Sequence, residues 1–254
     1  MSTKADYRIV IPARAASERL PGKPLQDICG QTLLQRVWSC AGKSSATEII
    51  IATDDQQIQK AAKAFGARAL MTDSNHNSGS DRIAECMEQL SWPDDTVVVN
   101  LQGDEPEMPA TCLDQVANML MAHPDADAAS LYQSISCEKE ISDSNAVKVV
   151  VDEQGRALYF SRAVIPAVRG HDSIESAVKA GQSWKRHIGL YAYRAGALRH
   201  FTSLPPSPLE KSERLEQLRI LESGGFIVMA HALVPVPAGV DTPEDLERVR
   251  RAFQ

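Results

Sequence analysis

The chain has 254 residues, 43% of them apolar and 24% charged, with a formal net charge of −6. That is enough apolar material for one large domain with a full core, and the acidic balance argues against a nucleic-acid-binding protein, where a basic face would be expected. An anionic ligand must be drawn in by a local cation cluster, not by the overall field. The five cysteines (Cys29, Cys40, Cys86, Cys112, Cys137) show no C-x-x-C spacing, which argues against structural zinc or a disulfide framework and for a cytosolic protein. The start of the chain, Met1-Ser-Thr-Lys-Ala-Asp-Tyr7, is short and polar, unlike a signal peptide. No apolar run approaches the roughly 18 residues that span a bilayer, so no membrane insertion is expected.

The apolar run Tyr7-Arg-Ile-Val-Ile-Pro12 predicts a buried strand. Arg14-Ala-Ala-Ser-Glu-Arg-Leu-Pro-Gly-Lys23 follows at once, with three cations, a hydroxyl and a glycine. In an open α/β sheet, ligands bind beyond the carboxyl ends of strands. A polyanion fits such a loop, whose N–H groups can wrap phosphate oxygens while Arg14, Arg19 and Lys23 supply charge. The loop has neither G-x-G-x-x-G nor G-x-x-x-x-G-K-[ST], which points away from dehydrogenases and P-loop NTPases. Taken alone, it is also compatible with a solvated basic turn.

Leu33, Leu34, Val37, Trp38 and Ala41 keep helical spacing after the loop. Residues 48–53 predict a second buried strand, and Asp54-Asp55 opens a helix through Phe65 with acids at its positive end. Residues 69–72 predict a short strand, 80–90 a helix, 96–101 a fourth strand, and 110–122 a further helix. This βαβα alternation predicts an α/β fold with a doubly wound, mostly parallel sheet. Beyond about residue 127, the segments 128–135, 146–151, 157–162 and 188–193 predict strands with no helices between the first three, the hairpin turn Asp152-Glu-Gln-Gly155 joining two of them. They predict an antiparallel extension with substrate contacts and a subunit interface. Residues 171–182 are polar, with one glycine at Gly181, and predict a mobile loop. Helical periodicity returns over 208–222, a strand follows over 226–234, and a last helix begins at Thr242 as N-cap with Pro243 first and Asp245 three after the cap. The expected organisation is a single domain over 1–254, with parts 1–127, 128–207 and 208–254.

Gln102-Gly-Asp-Glu-Pro106 lies just past an apolar strand, so Asp104 is expected at the same sheet edge as the basic loop. A carboxylate beside a bound triphosphate commonly holds Mg²⁺; a polar turn is the other reading. Asp241 is a candidate second carboxylate, although an acid beside a helix N-terminus is stabilising in its own right. Ser78-Gly-Ser-Asp-Arg82 can admit a flat base, with Arg82 a donor fork for an acid, or can simply cap a helix. Tyr159-Phe-Ser-Arg162 and Lys185-Arg186-His187 could read a polar, acidic small molecule. Glu216-Gln217 reads first as solvated helix face.

Pro-Ala-Arg-x-x-Ser-x-Arg-Leu-Pro-Gly-Lys-Pro-Leu over 12–25 resembles the signature of the 3-deoxy-manno-octulosonate cytidylyltransferases, or CMP-KDO synthetases. So do Ser78-Gly-Ser-Asp-Arg82, Asn100-Leu-Gln-Gly-Asp-Glu-Pro106, Asn145-Ala-Val-Lys148, Ala157-Leu-Tyr-Phe-Ser-Arg162, Arg186-His-Ile-Gly-Leu-Tyr191, Leu215-Glu-Gln-Leu-Arg219 and Val240-Asp-Thr-Pro-Glu-Asp-Leu-Glu247. These blocks stand in family order across nearly the whole chain. The resemblance implies a Rossmann-like nucleotidyltransferase, cytosolic, Mg²⁺-dependent and homodimeric. It would make CMP-KDO and pyrophosphate from CTP and KDO for lipopolysaccharide assembly. Arg14, Ser17, Arg19 and Lys23 would hold the triphosphate, and Pro12, Ala13, Ser78 and Gly79 would frame the cytidine. Asp104 and Asp241 would bind Mg²⁺ and, with Lys23 and Arg19, form the catalytic set. Arg82, Gln102, Arg162, His187, Tyr191, Glu216 and Gln217 would line the sugar-acid site.

Two departures are mild: Glu18 is a negative charge inside the phosphate loop, and Ser80-Asp81 stands where Thr-Glu is expected. The implied chemistry is in-line attack of the C2 hydroxyl of KDO on the α-phosphorus of CTP, with no residue assigned as general base. A cytidylyltransferase for 8-amino-KDO or another acidic sugar is the nearest alternative; a non-catalytic nucleotide sensor on the same fold is the other.

Overall fold

The computed structural model describes residues 6–15, 19–76 and 78–254. Strand β1 (Tyr7–Ala13) runs into the cation-rich loop, followed by a small hairpin of β2 (Asp27–Ile28) and β3 (Gln31–Thr32). Then come α1 (Leu33–Ala41), β4 (Glu48–Thr53), α2 (Gln56–Ala64), β5 (Arg68–Met71), α3 (Gly79–Gln89), β6 (Val97–Asn100) and α4 (Ala110–Ala122). The second half holds β7 (Ala128–Ile135), α5 (Glu138–Ser142), β8 (Lys148–Val151), β9 (Ala157–Ser161), α6 (Ile174–Lys179) and β10 (Trp184–Arg194). It closes with α7 (Ala195–Ser203), α8 (Pro208–Glu213), α9 (Leu218–Glu222), β11 (Ile227–His231) and α10 (Pro243–Ala252).

The main sheet has the order β11-β7-β10-β6-β1-β4-β5. β1 pairs in parallel with both β4 and β6, and β4 with β5. From β1 the chain winds outward to β4 and β5, then returns to β6 on the other side. The carboxyl ends of β1 and β6 therefore flank the point where the winding reverses, where this class of sheet opens a crevice. β10 inserts antiparallel between β6 and β7, and β7 carries β11 in parallel at the edge. The antiparallel part is thus β10 with the β8–β9 hairpin, which joins it through Arg186 and Lys148. β7 stands in the main sheet, sharing the sense of β6.

Alternation along β1 explains the layering. Tyr7, Ile9 and Ile11 enter one apolar cluster with α1, α2, α4 and α10, while Val10 enters the opposite one with α3, α7 and α9. Asp55 caps α2 by accepting from the N–H groups of Gln57 and Ile58. α10 starts at the box of Thr242 and Asp245 expected from sequence.

Three local expectations are corrected. A five-residue helix, α5, separates β7 from β8; it is too short to show a period and buries only Ile141. Residues 171–182 contain α6, held by a capping box of Ser173 and Ser176 and anchored by buried Ala177 beside Ile135, Ile141 and Trp184. The helical run over 208–222 is broken: α8 ends at Arg214, whose φ of +52° is left-handed, and α9 starts only at Leu218. The apolar period carries across that break, so it cannot reveal it.

Candidate active site

Two cavities open at the carboxyl ends of β1 and β6. The first, about 800 Å³, is walled by Pro12 and Ala13 of β1, the cations Arg14, Arg19 and Lys23, and Ser78 with Gly79 at the start of α3. The second, about 640 Å³, lies toward β10, between residues 143–147, His187 and Tyr191, and Leu215, Glu216 and Gln217. Gln102, Asp104 and Asp241 belong to both walls. Close packing of the strand ends makes this junction. A Cβ on Gly103 would stand 2.7 Å from the Pro12 carbonyl oxygen, and one on Gly79 would press on the Pro12 ring at 3.2 Å. Glycine is what lets the two segments approach.

Lys23 sits at the centre. Its Nζ donates to Asp104 Oδ2 at 2.7 Å, to Asp241 Oδ1 at 3.0 Å and to the Val240 carbonyl at 3.0 Å. Burial works against its charge, but Asp104 first and then Asp241 outweigh burial and hold it above the ordinary lysine range. Arg19 reaches Asp241 Oδ2 at 3.1 Å. Three oxygens thus converge on one cation, and two of them are carboxylate oxygens. That is the hard oxygen donor set Mg²⁺ takes, usually with phosphate oxygens and water completing the shell. Among the described residues no cluster of three or more His, Cys, Asp or Glu side chains forms a full protein cage. The residues present fit a shared site of this kind.

Ser78 does cap α3: its Oγ accepts from the Asp81 N–H while Asp81 accepts from the Ser78 N–H. It also lines the first cavity, so capping and lining coexist. Arg82 borders that cavity, yet its guanidinium is engaged with Asp54 at 2.9 Å and with Thr72. His76, a residue without an assigned role in the sequence, lies beyond β5 on the same wall, bonded to Glu85 at 2.6 Å. Its place just after a strand end was the available signal. Ser17 and Glu18 lie outside the described residues.

In the second cavity, burial first and then Arg186 pull His187 down to about 3, so the imidazole is neutral. Its Nε2 is 3.1 Å from Ser130 Oγ, which also faces the carbonyls of Ile188 and Leu190 at 3.1 and 2.9 Å. Those oxygens can only accept, so they take the hydroxyl proton. Nε2 must then carry the imidazole proton, leaving Nδ1 as an acceptor. Those carbonyls turn toward Ser130 where the β7–β10 register shifts between Ile188 and Tyr191. Glu216 Oε2 accepts from Ser80 Oγ at 3.0 Å, while its Oε1 is buried with no partner. Glu216 therefore belongs to the cavity wall, not to a solvated helix face.

Glu105 Oε2 is likewise buried and unpartnered. Burial, with Asp104 beside it, pushes this carboxyl up to about 8. Glu105 and Asn145 sit within motifs legible in the sequence, yet only the fold shows that they line this cavity. Arg186 lines it too, held by Glu140 at 2.8 Å and Gln133 at 2.9 Å. Arg162 is outside the lining of both cavities; its guanidinium donates to the carbonyls of Glu213, Ser144 and Arg214.

The cytidylyltransferase family model matches residues 8–230. The chain is 50% identical to the 3-deoxy-manno-octulosonate cytidylyltransferase of Pseudomonas syringae pv. syringae over 253 residues, covering 98% of this chain and 99% of that one. It is 48% identical to the enzyme of the same name from Nitrosococcus oceani over 247 residues, covering 96% and 95%. Among solved structures, a CMP:2-keto-3-deoxy-manno-octonic acid synthetase complexed with CTP superposes with a TM-score of 0.88 at 38% identity, covering 97% of this chain and 98% of that one. A fold of this likeness, carrying a cation-lined crevice where the sheet winding reverses, leaves one conclusion: the chain belongs to the 3-deoxy-manno-octulosonate cytidylyltransferase family.

Proposed function

We propose that this protein transfers CMP from CTP to 3-deoxy-manno-octulosonate, releasing pyrophosphate, with Mg²⁺ as its metal. The observation that carries this reading is the shared wall of Gln102, Asp104 and Asp241 between one cavity rich in cations and another rich in hydrogen-bonding groups. Two anionic substrates entering from the two sides would meet at that wall. Lipopolysaccharide assembly as the destination of the product, a homodimeric state and a cytoplasmic location are carried over from the family. Among the described residues, no helix is long and apolar enough to cross a membrane.

In this reading the cation loop binds the triphosphate, and Lys23 exchanges carboxylate for phosphate partners when nucleotide enters. Glycines 79 and 103 let their segments close on Pro12, which shapes the wall against which the nucleoside would lie. In the second cavity the unpartnered Glu216 Oε1 and the Nδ1 of His187 accept from sugar hydroxyls. Arg186 supplies charge for the sugar carboxylate. The C2 hydroxyl oxygen of KDO attacks the α-phosphorus as the bond to pyrophosphate breaks, and the hydroxyl proton passes to water. Much of the acceleration comes from holding these anions in line against their repulsion. His187, at about 3, positions a hydroxyl and does not take its proton at neutral pH. Mg²⁺ held by Asp104 and Asp241 would supply the charge that offsets that repulsion.

The test is pyrophosphate release from CTP and Mg²⁺ with KDO, 8-amino-KDO or sialic acid offered singly. Release with KDO above the others is expected. Release with 8-amino-KDO alone would move the substrate to that sugar. Silence with all three, from folded protein that binds CTP, would replace the enzyme by a nucleotide sensor.

A further inference from the structure

The walls of the second cavity come from segments far apart in the chain, and one side chain behind them ties them together. Glu213, the last residue of α8, accepts the Ser161 hydroxyl on Oε1 at 2.6 Å and the Arg162 backbone N–H on Oε2 at 3.0 Å. Its own carbonyl accepts Arg162 Nε at 2.7 Å. Arg162 then reaches across to the Ser144 carbonyl at 3.1 Å and to the Arg214 carbonyl at 3.3 Å. Lys148, fully buried, donates to the neighbouring Asp143 carbonyl at 2.8 Å. Residues 143–147 form one wall and 215–217 another. The end of β9 is bolted to both.

None of Ser161, Arg162 or Glu213 lines either cavity, so the network acts through the segments it holds. It is also well placed to fix them. Between α8 and α9 the chain passes through the left-handed Arg214, and residues 214–217 are tied to α9 only by the turn bonds from the Leu218 and Arg219 N–H groups to the carbonyls of Leu215 and Glu216. Residues 142–145 are exposed, outside any strand. Neither segment has a regular element to set where Glu216, Gln217 or Asn145 stands. Two sets of charge-assisted bonds provide that setting: the Glu213 carboxylate accepting from Ser161 and the Arg162 N–H, and the Arg162 guanidinium donating to three carbonyls.

We infer that Glu213 is a positioning residue for the acidic-sugar half of the site, acting through Arg162 to set residues 143–147 and 214–217. This rests on the reading of the second cavity as the sugar site. The metal and the triphosphate side lie outside the network, so its loss should spare nucleotide binding. A residue placed about an ångström off can cost on the order of 10²-fold.

The experiment compares wild type, Glu213→Ala and Glu213→Gln by steady-state kinetics and by amide hydrogen exchange in the free protein. For Glu213→Ala, KM for KDO should rise roughly tenfold or more, with KM for CTP staying within about twofold. Amides in 143–147 and 213–217 should exchange faster, with α1 and α4 unchanged. Glu213→Gln keeps an acceptor for Ser161 and loses the one for the Arg162 N–H, so it should fall between. An unchanged KM for KDO in folded Glu213→Ala overturns the inference. So does a parallel rise of both KM values with faster exchange throughout, which would make Glu213 merely structural. If wild type uses another acidic sugar, the same KM split is read on that sugar and only the KDO reading fails. If no sugar is used, unchanged exchange at 143–147 overturns the inference on its own.

Discussion

The two halves of the crevice are built in opposite ways. In the first cavity, proposed for the nucleotide, lining groups follow directly from strand ends: Pro12 and Ala13 close β1, and Gln102 to Asp104 follow β6. Their positions are inherited from a buried parallel sheet. In the second cavity, proposed for the sugar, Glu216 and Gln217 sit in the break between two short helices, and Asn145 sits in an exposed connection. There the positions are set by side chains such as Arg162, Arg186 and Glu213. A sheet edge places a group cheaply, whereas a loop needs a bracket behind it.

This contrast can be broken most directly at the shared wall. Asp104→Ala should remove Mg²⁺-dependent turnover by on the order of 10³-fold, while far-UV circular dichroism stays native. Near-normal turnover would separate Asp104 from the metal and the two halves from each other. Lys23→Ala is the next test. Loss of a charged hydrogen-bonding partner, about 1.5–3 kcal/mol, should raise KM for CTP roughly 10- to 100-fold. KM for KDO should change far less, and an equal rise in both would show that the halves are not independent.

The third test uses pH. His187 is held to about 3 against an ordinary value of 6.5, so between those values the unfolded chain binds a proton that the folded chain does not. Its contribution to stability is present above 6.5 and declines as pH falls toward 3. Urea denaturation at several pH values should show a shallower acid-side loss for His187→Asn than for wild type; parallel curves would contradict the neutral assignment. The smallest effect concerns Arg214, at φ +52° and exposed. Arg214→Gly should relieve left-handed strain and stabilise by up to about 1 kcal/mol, seen as a higher denaturation midpoint. A lower midpoint would mean that its side chain, not its carbonyl, matters to the bracket.

Legibility in the sequence followed the same division. The strands at 7–12 and 48–53 and the helix at 110–122 were readable because continuous apolar runs and long helical periods have few competing solutions. The cation loop and Asp104 were readable because their strand ends were. Asp241 was not separable locally, because a carboxylate beside a helix N-terminus has a sufficient structural reason to be there. The sugar side was mostly hidden. Glu216 lies on a run whose apolar period crosses the break at Arg214, so periodicity gave it the wrong surroundings. Arg162 stood out as a cation near a candidate pocket, but its bonds to three carbonyls depend on tertiary approach. Glu213 had no signal at all, since a glutamate near the end of an exposed six-residue helix is ordinary.

The rings along β10 have a further consequence. Phe160, His187, Tyr191, Tyr193 and Phe201 follow one another with centroid separations of 5.0, 5.2, 5.5 and 6.5 Å, and Tyr191 and Tyr193 are stacked within 15° of parallel. Two tyrosines fixed face to face in an asymmetric interior form a coupled chromophore. The chain thus carries an intrinsic optical reporter running from the cavity wall into the core. Its near-ultraviolet dichroism offers a label-free readout of occupancy of the second cavity, and of that cavity's integrity in any variant, before turnover is measured.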